Sequence, residues 1–435
     1  MKRFGRHPAW LMCWALCWAM GIGVAQAKFT VAALPDTQHY SENKVFPDYP
    51  DGAAEIFFAQ TQWIVANQEP KNIRFVCHLG DIVDNGPDID QWQVADAAMS
   101  VLDEADIPYG TCQGNHDNHY GYGVFPDMDP NATNYVAYFG PQRFTDKSWY
   151  GGCSPSQRSN YQVIEAEGRG LLFLNLSIDT PRRELDWAQQ VLEENRDKLV
   201  ILSTHRYLYD FRLLQGRYGD GVLGQDTFEE TLLADEKYDL ETVWPEEFFE
   251  TFIRVNPNIL LVLCGHCTGQ YYQIEENDQG LPVIAVVTDY EDSPNGGNGW
   301  LRLMEFDFDM GTISFSTYSP TLERERTIVD DFMDTLGIIA AYKDTLAGTL
   351  GLTEFQKTLI LAQLRADLPG YTKAPELEAH MQQPEVQAYL KANGMNYAWD
   401  GLWKQAFADG QRDPSLTLSV DFAAYVEQAQ EPLQE

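Results

Sequence analysis

The 435-residue sequence predicts an α/β layered fold, because short apolar runs of strand length alternate with stretches whose apolar residues recur at helical spacing. A second observation agrees: five clusters rich in Asp, Asn and His each follow one of the apolar runs, where the open edge of an α/β sheet gathers ligands. Residues 29–34, 73–79, 107–112, 170–176, 199–203 and 259–264 end in polar or glycine residues and read as buried strands. Between them, Ile56, Gln60, Trp63, Ile64 and Asn67 mark one helical repeat, and Leu185, Ala188 and Leu192 mark another. Residues 282–287, 300–306 and 312–318 carry β signals, the last after Met310-Gly311 as a hairpin turn, and are expected to complete a second sheet.

The first 27 residues read as a secretory signal. Lys2, Arg3 and Arg6 make a basic start, residues 9–24 are apolar, and Ala25-Gln26-Ala27 is an A-x-A cleavage site. The apolar stretch is shorter than the ~20 residues that cross a bilayer, and Cys13 and Cys17 lack the small residues that precede a lipidated cysteine. The mature chain is therefore expected to be secreted or periplasmic, without a stable membrane anchor. It would carry 27 basic against 65 acidic residues, a net charge of −38. Such a field repels nucleic acid and anionic lipid, so no nucleic-acid polymer is expected as a partner, and a phosphate substrate would need local cations to approach. Five cysteines remain, an odd number at low density, which fits a core-stabilised protein better than a disulfide scaffold. The composition shifts near residue 321, dividing the mature chain into a body over 28–320 and a mainly helical extension over 321–435, where Thr353 and Gln356 are spaced as a capping box.

The five clusters are Asp36-Thr37-Gln38-His39, Gly80-Asp81-Ile82-Val83-Asp84, Gly114-Asn115-His116-Asp117, His205 after Thr204, and Gly265-His266-Cys267-Thr268. A Gly-Asp pair alone is usually a turn. All five in this order, each at a strand exit, are a different matter. Gly-Asn-His-Asp is the most specific, since asparagine rarely binds metal outside hard-oxygen sites.

These motifs resemble the calcineurin-like metallophosphoesterases, whose pattern runs D-x-H, G-D-x-x-D, G-N-H-D or G-N-H-E, a lone H, then G-H-x-H. The resemblance spans roughly residues 29 to 320, where Thr288-Asp289-Tyr290, Asn295-Gly296-Gly297 and Trp300-Leu301-Arg302 also look like a subgroup of it. It implies a four-layer αββα sandwich with metals at the strand C-terminal ends, and two divalent cations. By that resemblance one cation would be held by Asp81, Asn115, His205 and His266. The other would be held by Asp36, by the third residue of the first motif, by Asp81 as a bridge, and by the last residue of the fifth. There Gln38 and Thr268 stand where the family has histidines. One full site for Fe, Zn or Mn and one weaker, oxygen-rich site for Mn or Mg follow. His39 is an alternative ligand or a surface residue beside Tyr40, and a further alternative is that the weaker site fills only when phosphate bridges it.

The mechanism such a centre requires gives His116 the role of general acid, with Asp117 orienting its ring and Asp84 supporting the metal loop or His116. The implied function is an exported metal-dependent phosphoesterase acting on a small phosphate mono- or diester. The alternative is a catalytically weak, secreted phosphate- or sugar-phosphate-binding module of the same fold. For substrate selection, the long segment after His205 offers Tyr207, Arg212 and Arg217 as a lid and phosphate clamp, or as aromatic anchors. A second segment, 118–160, offers Tyr120, Tyr122, Phe125, Trp149 and Tyr150 as an opposite wall.

Overall fold

Strand residues face two apolar environments in turn, and that period of two builds the layers. A computed structural model describes residues 28–118, 133–210, 215–217, 243, 245–327, 330, 331, 334, 384, 388 and 415–430. One seven-stranded sheet is built on β1 (Lys28–Leu34), β2 (Ile73–His78) and β3 (Tyr109–Thr111), which run parallel. The other runs β11 (Gly269–Glu276), β12 (Pro282–Asp289), β10 (Ile259–Cys264), β7 (Leu199–Thr204), β6 (Arg169–Leu176), β5 (Asn160–Ala166) and β4 (Tyr150–Cys153), with β6, β7, β10 and β12 parallel, while β8 (Leu208–Asp210) and β9 (Gln215–Arg217) pair apart from both sheets. Each of the six apolar runs read as buried strands overlaps one of these strands.

In the second sheet, Leu171, Phe173, Leu199, Ile201, Leu261, Leu263, Ile284 and Val286 join the core between the sheets. Their neighbours Leu172, Leu174, Val200, Leu202, Val262, Val283 and Val287 join a separate outer cluster. That outer face is covered by Leu185, Ala188, Val191 and Leu192 of the helix Arg182–Glu194, and by Phe248, Phe249 and Phe252 of the helical stretch after Pro245. Phe75 of β2 stacks on Phe173 of β6 with ring centroids 3.6 Å apart, so these two rings hold the sheets face to face. On the first sheet, the helix Ala54–Asn67 packs Trp63 on Tyr318 and Phe57 against His78, while Gln60 donates to the Trp300 carbonyl. Helices, sheet, sheet and helices make four layers.

The three late β segments divide between the sheets and do not complete one together. β12 pairs with β10, whereas β13 (Leu301–Asp307) lies antiparallel on β1 and continues through the Met310-Gly311 turn into β14 (Thr312–Ser319). Two antiparallel strands, Asn160–Ala166 and Gly269–Glu276, and the helix Ile89–Glu104 extend the expected set. They are half-exposed or lightly patterned, and Asp88 starts the helix by accepting the Asp90 N–H. Of the extension, residues Leu416–Ser419 add a strand to β14 and Phe422–Gln430 form a helix. The capping box at Thr353 and Gln356 and the leader at 1–27 lie outside the described residues. No described helix is long and apolar enough to cross a membrane, and none of the five cysteines forms a disulfide.

Candidate metal centre

β1, β2, β3, β7, β10 and β12 end at one edge of the sandwich, and their exit loops turn inward because glycines let them touch. A Cβ on Gly80 would lie 2.6 Å from His205 Nδ1, one on Gly114 would lie 2.1 Å from Asp81 Oδ1, and one on Gly265 would lie 2.2 Å from Asp36 Oδ1. Each motif glycine thus leaves room for a ligand side chain from another motif. Asp81 and His266 themselves sit at positive φ, 46° and 68°, conformations that non-glycine residues adopt only when their surroundings impose them.

The best-assembled group is Asp81, His205 and His266, whose candidate ligand atoms all lie within 4.8 Å of one another. His205 Nδ1 lies 2.9 Å from the Leu79 carbonyl, which can only accept, so Nδ1 carries the hydrogen. Its Nε2 then faces Asp81 Oδ2 at 3.1 Å, Asn115 Oδ1 at 3.1 Å and Asp36 Oδ2 at 4.0 Å. A nitrogen lone pair aimed at three oxygens is repulsive unless a proton or a cation lies between them. These donors therefore fit a cation. Burial alone would lower the His205 imidazole, but the Asp81 carboxylate reverses this and holds it above the ordinary range. Burial would likewise raise Asp81, yet the His205, His116 and His266 rings bring it down to about 2. Burial and the neighbouring His205 hold His266 well below the usual histidine value.

A second group joins Asp36, Asp289 and Glu291 within 4.8 Å. Burial first, then neighbouring carboxylates, raises all three carboxyls, Asp289 to about 7 with Asp292 and Asp81 as its neighbours. Gln38 lies here, its Nε2 donating to Glu291 Oε2. Asp36 accepts from the His266 backbone N–H at 3.2 Å. Thr268 points its hydroxyl at Asp292 Oδ2, 3.0 Å away, and at Asp289 Oδ2, 3.4 Å away. Asp289, Glu291 and Asp292 were absent from the expected ligands. The signal was an acid-rich exit loop after residues 282–287, the same placement as the other five clusters.

A third group, His39, Glu42 and Asp84, is more open, and Lys44 occupies it with its ammonium 3.2 Å from His39 Nδ1. Burial, then Lys44, lowers His39 to about 4.

His116 is 8% exposed and donates its backbone N–H to Asp81 Oδ1. Its Nδ1 lies 2.7 Å from the Asp84 carbonyl, so Nδ1 carries a hydrogen and Nε2 is the nitrogen on the Asp81 side, 4.0 Å from Oδ2. The ring is therefore oriented by Asp84 and not, as expected, by Asp117. Asp117 instead accepts backbone N–H groups from Ile82, Val83 and Gly114, tying the second motif to the third. Burial raises its carboxyl to about 7, opposed by those donors.

The expected substrate walls fare differently. Tyr207 is fully buried in the outer cluster behind the second sheet, edge-on to Phe248, which is the anchoring alternative. Trp149 is buried against Tyr109 and Phe144, and Tyr150 stacks on Phe144, so both belong to the core side of their segment. Arg212 and residues 119–132, with Tyr120, Tyr122 and Phe125, lie outside the described residues. Arg217 lies on a short strand whose backbone pairs with Leu208. Arg206, beside His205, is buried and ion-paired with Asp179.

Comparison with known proteins places these features in a family. An uncharacterised protein of Bacillus subtilis (strain 168), YvnB, is 34% identical over 302 residues, covering 68% of this chain and 20% of that protein. The chain thus spans about a fifth of that relative's length. Among solved structures, a dimetal phosphatase from Danio rerio is 13% identical with a TM-score of 0.41, covering 67% of this chain and 96% of that one. A purple acid phosphatase, PPD1, from yellow lupin (Lupinus luteus) seeds is 15% identical with a TM-score of 0.40, covering 71% and 55%. The sequence pattern of the calcineurin-like phosphoesterases matches residues 29–267, a stretch holding every cluster from Asp36 to His266, and the chain belongs to that family.

Proposed function

We propose that this chain, exported after loss of residues 1–27, hydrolyses a small phosphate mono- or diester at a pair of divalent cations. The observation that carries the reading is His205 Nε2, fixed by its Leu79 hydrogen bond and surrounded by Asp81, Asn115 and Asp36 oxygens. Divalent cations held there would polarise the phosphate, acidify an attacking water and balance the charge that grows in the in-line transition state. Fe, Zn or Mn suits the side with two imidazoles, and Mn or Mg suits the Asp36 side.

The chain's own groups divide the remaining work. Asp81 presents one oxygen to His205 and is oriented through the other by the His116 backbone N–H. The Asp84 carbonyl fixes the His116 ring so that Nε2 points to the Asp81 side, where it can pass a proton to the leaving oxygen. Asp117 holds the two loops that carry Asp81 and His116 in register.

The test is phosphate release by the mature protein with Mn²⁺, using chromogenic monoesters and diesters. His116→Ala should lower turnover about 10²-fold or more while retaining metal, with the smallest loss on the best leaving groups. His205→Ala should lose metal as well. Native turnover in His116→Ala refutes the proton-donor role, and no turnover with any cation, alongside retained phosphate binding, favours a binding module.

A further inference from the structure

We infer that the loop after β12 completes the second cation site, with Asp289 and Glu291 joining Asp36 and the Gln38 side-chain oxygen to hold a hard divalent cation without any imidazole. The inference rests on the phosphoesterase reading and concerns the side where Gln38 and Thr268 stand in place of the family's histidines. Three observations support it. The Asp36, Asp289 and Glu291 ligand oxygens lie within 4.8 Å of one another, with Asp36 and Asp289 buried. Gln38 is 3% exposed and its amide nitrogen is committed to Glu291, whereas its Oε1 is buried without a hydrogen-bond partner among the described residues. A buried amide oxygen lacking a donor, beside three carboxylates whose negative charges crowd together, is a set of oxygens that a hard cation satisfies.

The third observation is how the loop is held. The Glu291 N–H donates to Asp289 Oδ1 at 2.9 Å, a turn that places both carboxylates on one side. Thr268 directs its hydroxyl at Asp289 and Asp292, which makes it a positioning residue for the acids and not a substitute ligand. Two imidazoles have thus been exchanged for two carboxylates and an amide oxygen, a donor set suited to Mg²⁺ or Mn²⁺.

The experiment counts Mn²⁺ in the metal-stripped mature protein by electron paramagnetic resonance during titration and by elemental analysis after gel filtration. The wild type should bind two ions per chain. Glu291→Gln and Asp289→Asn should bind one, or the second about tenfold more weakly. His266→Ala should weaken the other ion and leave this one. If either acid variant fails to fold by circular dichroism, Gln38→Met takes its place with the same expectation. Retention of two ions within about twofold of native affinity in these variants overturns the inference. So does a wild type that binds a single ion lost in His205→Ala; the first result leaves the two-cation phosphoesterase reading standing, and the second reduces it to hydrolysis at one cation. A wild type that binds no Mn²⁺ overturns both.

Discussion

A single methyl group at Gly114 tests whether the loops are packed as tightly as the chemistry needs. A Cβ there would sit 2.1 Å from Asp81 Oδ1 and 2.3 Å from the Asp81 backbone nitrogen. Neither contact can be relieved by swinging a flexible side-chain end. Asp81 is buried at positive φ, and its Oδ1 also receives the His116 N–H at 2.8 Å. Reaching an ordinary separation of 3.0 Å requires Asp81 and the Gly114 loop to part by roughly 0.9 Å. A misplacement of about 1 Å costs on the order of 10²-fold in rate, or about 2.7 kcal/mol of barrier. Gly114→Ala should therefore lower kcat/KM by roughly that factor, weaken Mn²⁺ binding, and destabilise the fold by about 1–3 kcal/mol through overpacking. Gly170→Ala is the control, because the nearest atom to its Cβ is Lys198 Cγ at 3.1 Å, on a chain that can move. The assay is phosphate release against Mn²⁺ concentration together with urea denaturation. A Gly114→Ala protein within about threefold of native kcat/KM would show that this loop tolerates displacement, and the positional argument would fall.

Other outcomes follow from the same geometry. Chelated protein should melt at a lower temperature at about pH 8 than at about pH 6.5. The raised carboxyls of Asp36, Asp117, Asp289 and Glu291 and the raised His205 bind more protons folded than unfolded, so their contribution is lost as pH rises through those values, about 7 for Asp117 and Asp289. Below about pH 6.5 the lowered His39, His78 and His266 act in the opposite sense, since they take up protons on unfolding. Mn²⁺ should close the gap, and a metal-free melting temperature that climbs between those two pH values contradicts this account. Asp117→Asn should destabilise by about 2 kcal/mol in urea and weaken Mn²⁺ binding, because its amide NH₂ must face a backbone N–H on one side or the other. An unchanged midpoint would mean that these three hydrogen bonds do not tie the motifs together.

The fold was legible in the sequence where strands are covered on both sides. β7 and β10 are apolar at nearly every position because two cores claim alternate residues, and such runs announce themselves. The strand Asn160–Ala166 escaped because it alternates with half-exposed positions and carries Asn160 and Gln162 inward. The candidate ligands at Asp36, Asp81, Asn115, His205 and His266 were legible from placement at strand exits. Asp289 and Glu291 were not assigned as ligands, because acids at a strand exit are ordinary in an acidic chain until a buried neighbour shows that they turn inward. Of the expected aromatic walls, Tyr207 and Trp149 are buried and Tyr150 is half-buried against the core, and residue type alone does not separate a binding surface from a core. The Asp117 role was misread because adjacency in sequence suggested a contact with His116 that the turn directs elsewhere.

Between the sheets lies a small polar inclusion. Asn160 Nδ2 donates to the Thr111 carbonyl of β3 at 3.0 Å, and Gln162 and Asn175 close a ring of amide contacts around it. They fit only because Gly110 presents no side chain, a Cβ there falling 2.3 Å from Asn175 Nδ2. Two greasy sheets can slip past each other by a fraction of a residue at little cost, whereas amides that must meet one particular carbonyl cannot. The inclusion works as a detent that sets the offset of one sheet on the other. Because Asp36, Asp81 and Asn115 ride on the first sheet and His205, His266 and Asp289 on the second, the bite of the whole ligand set is gauged by this latch.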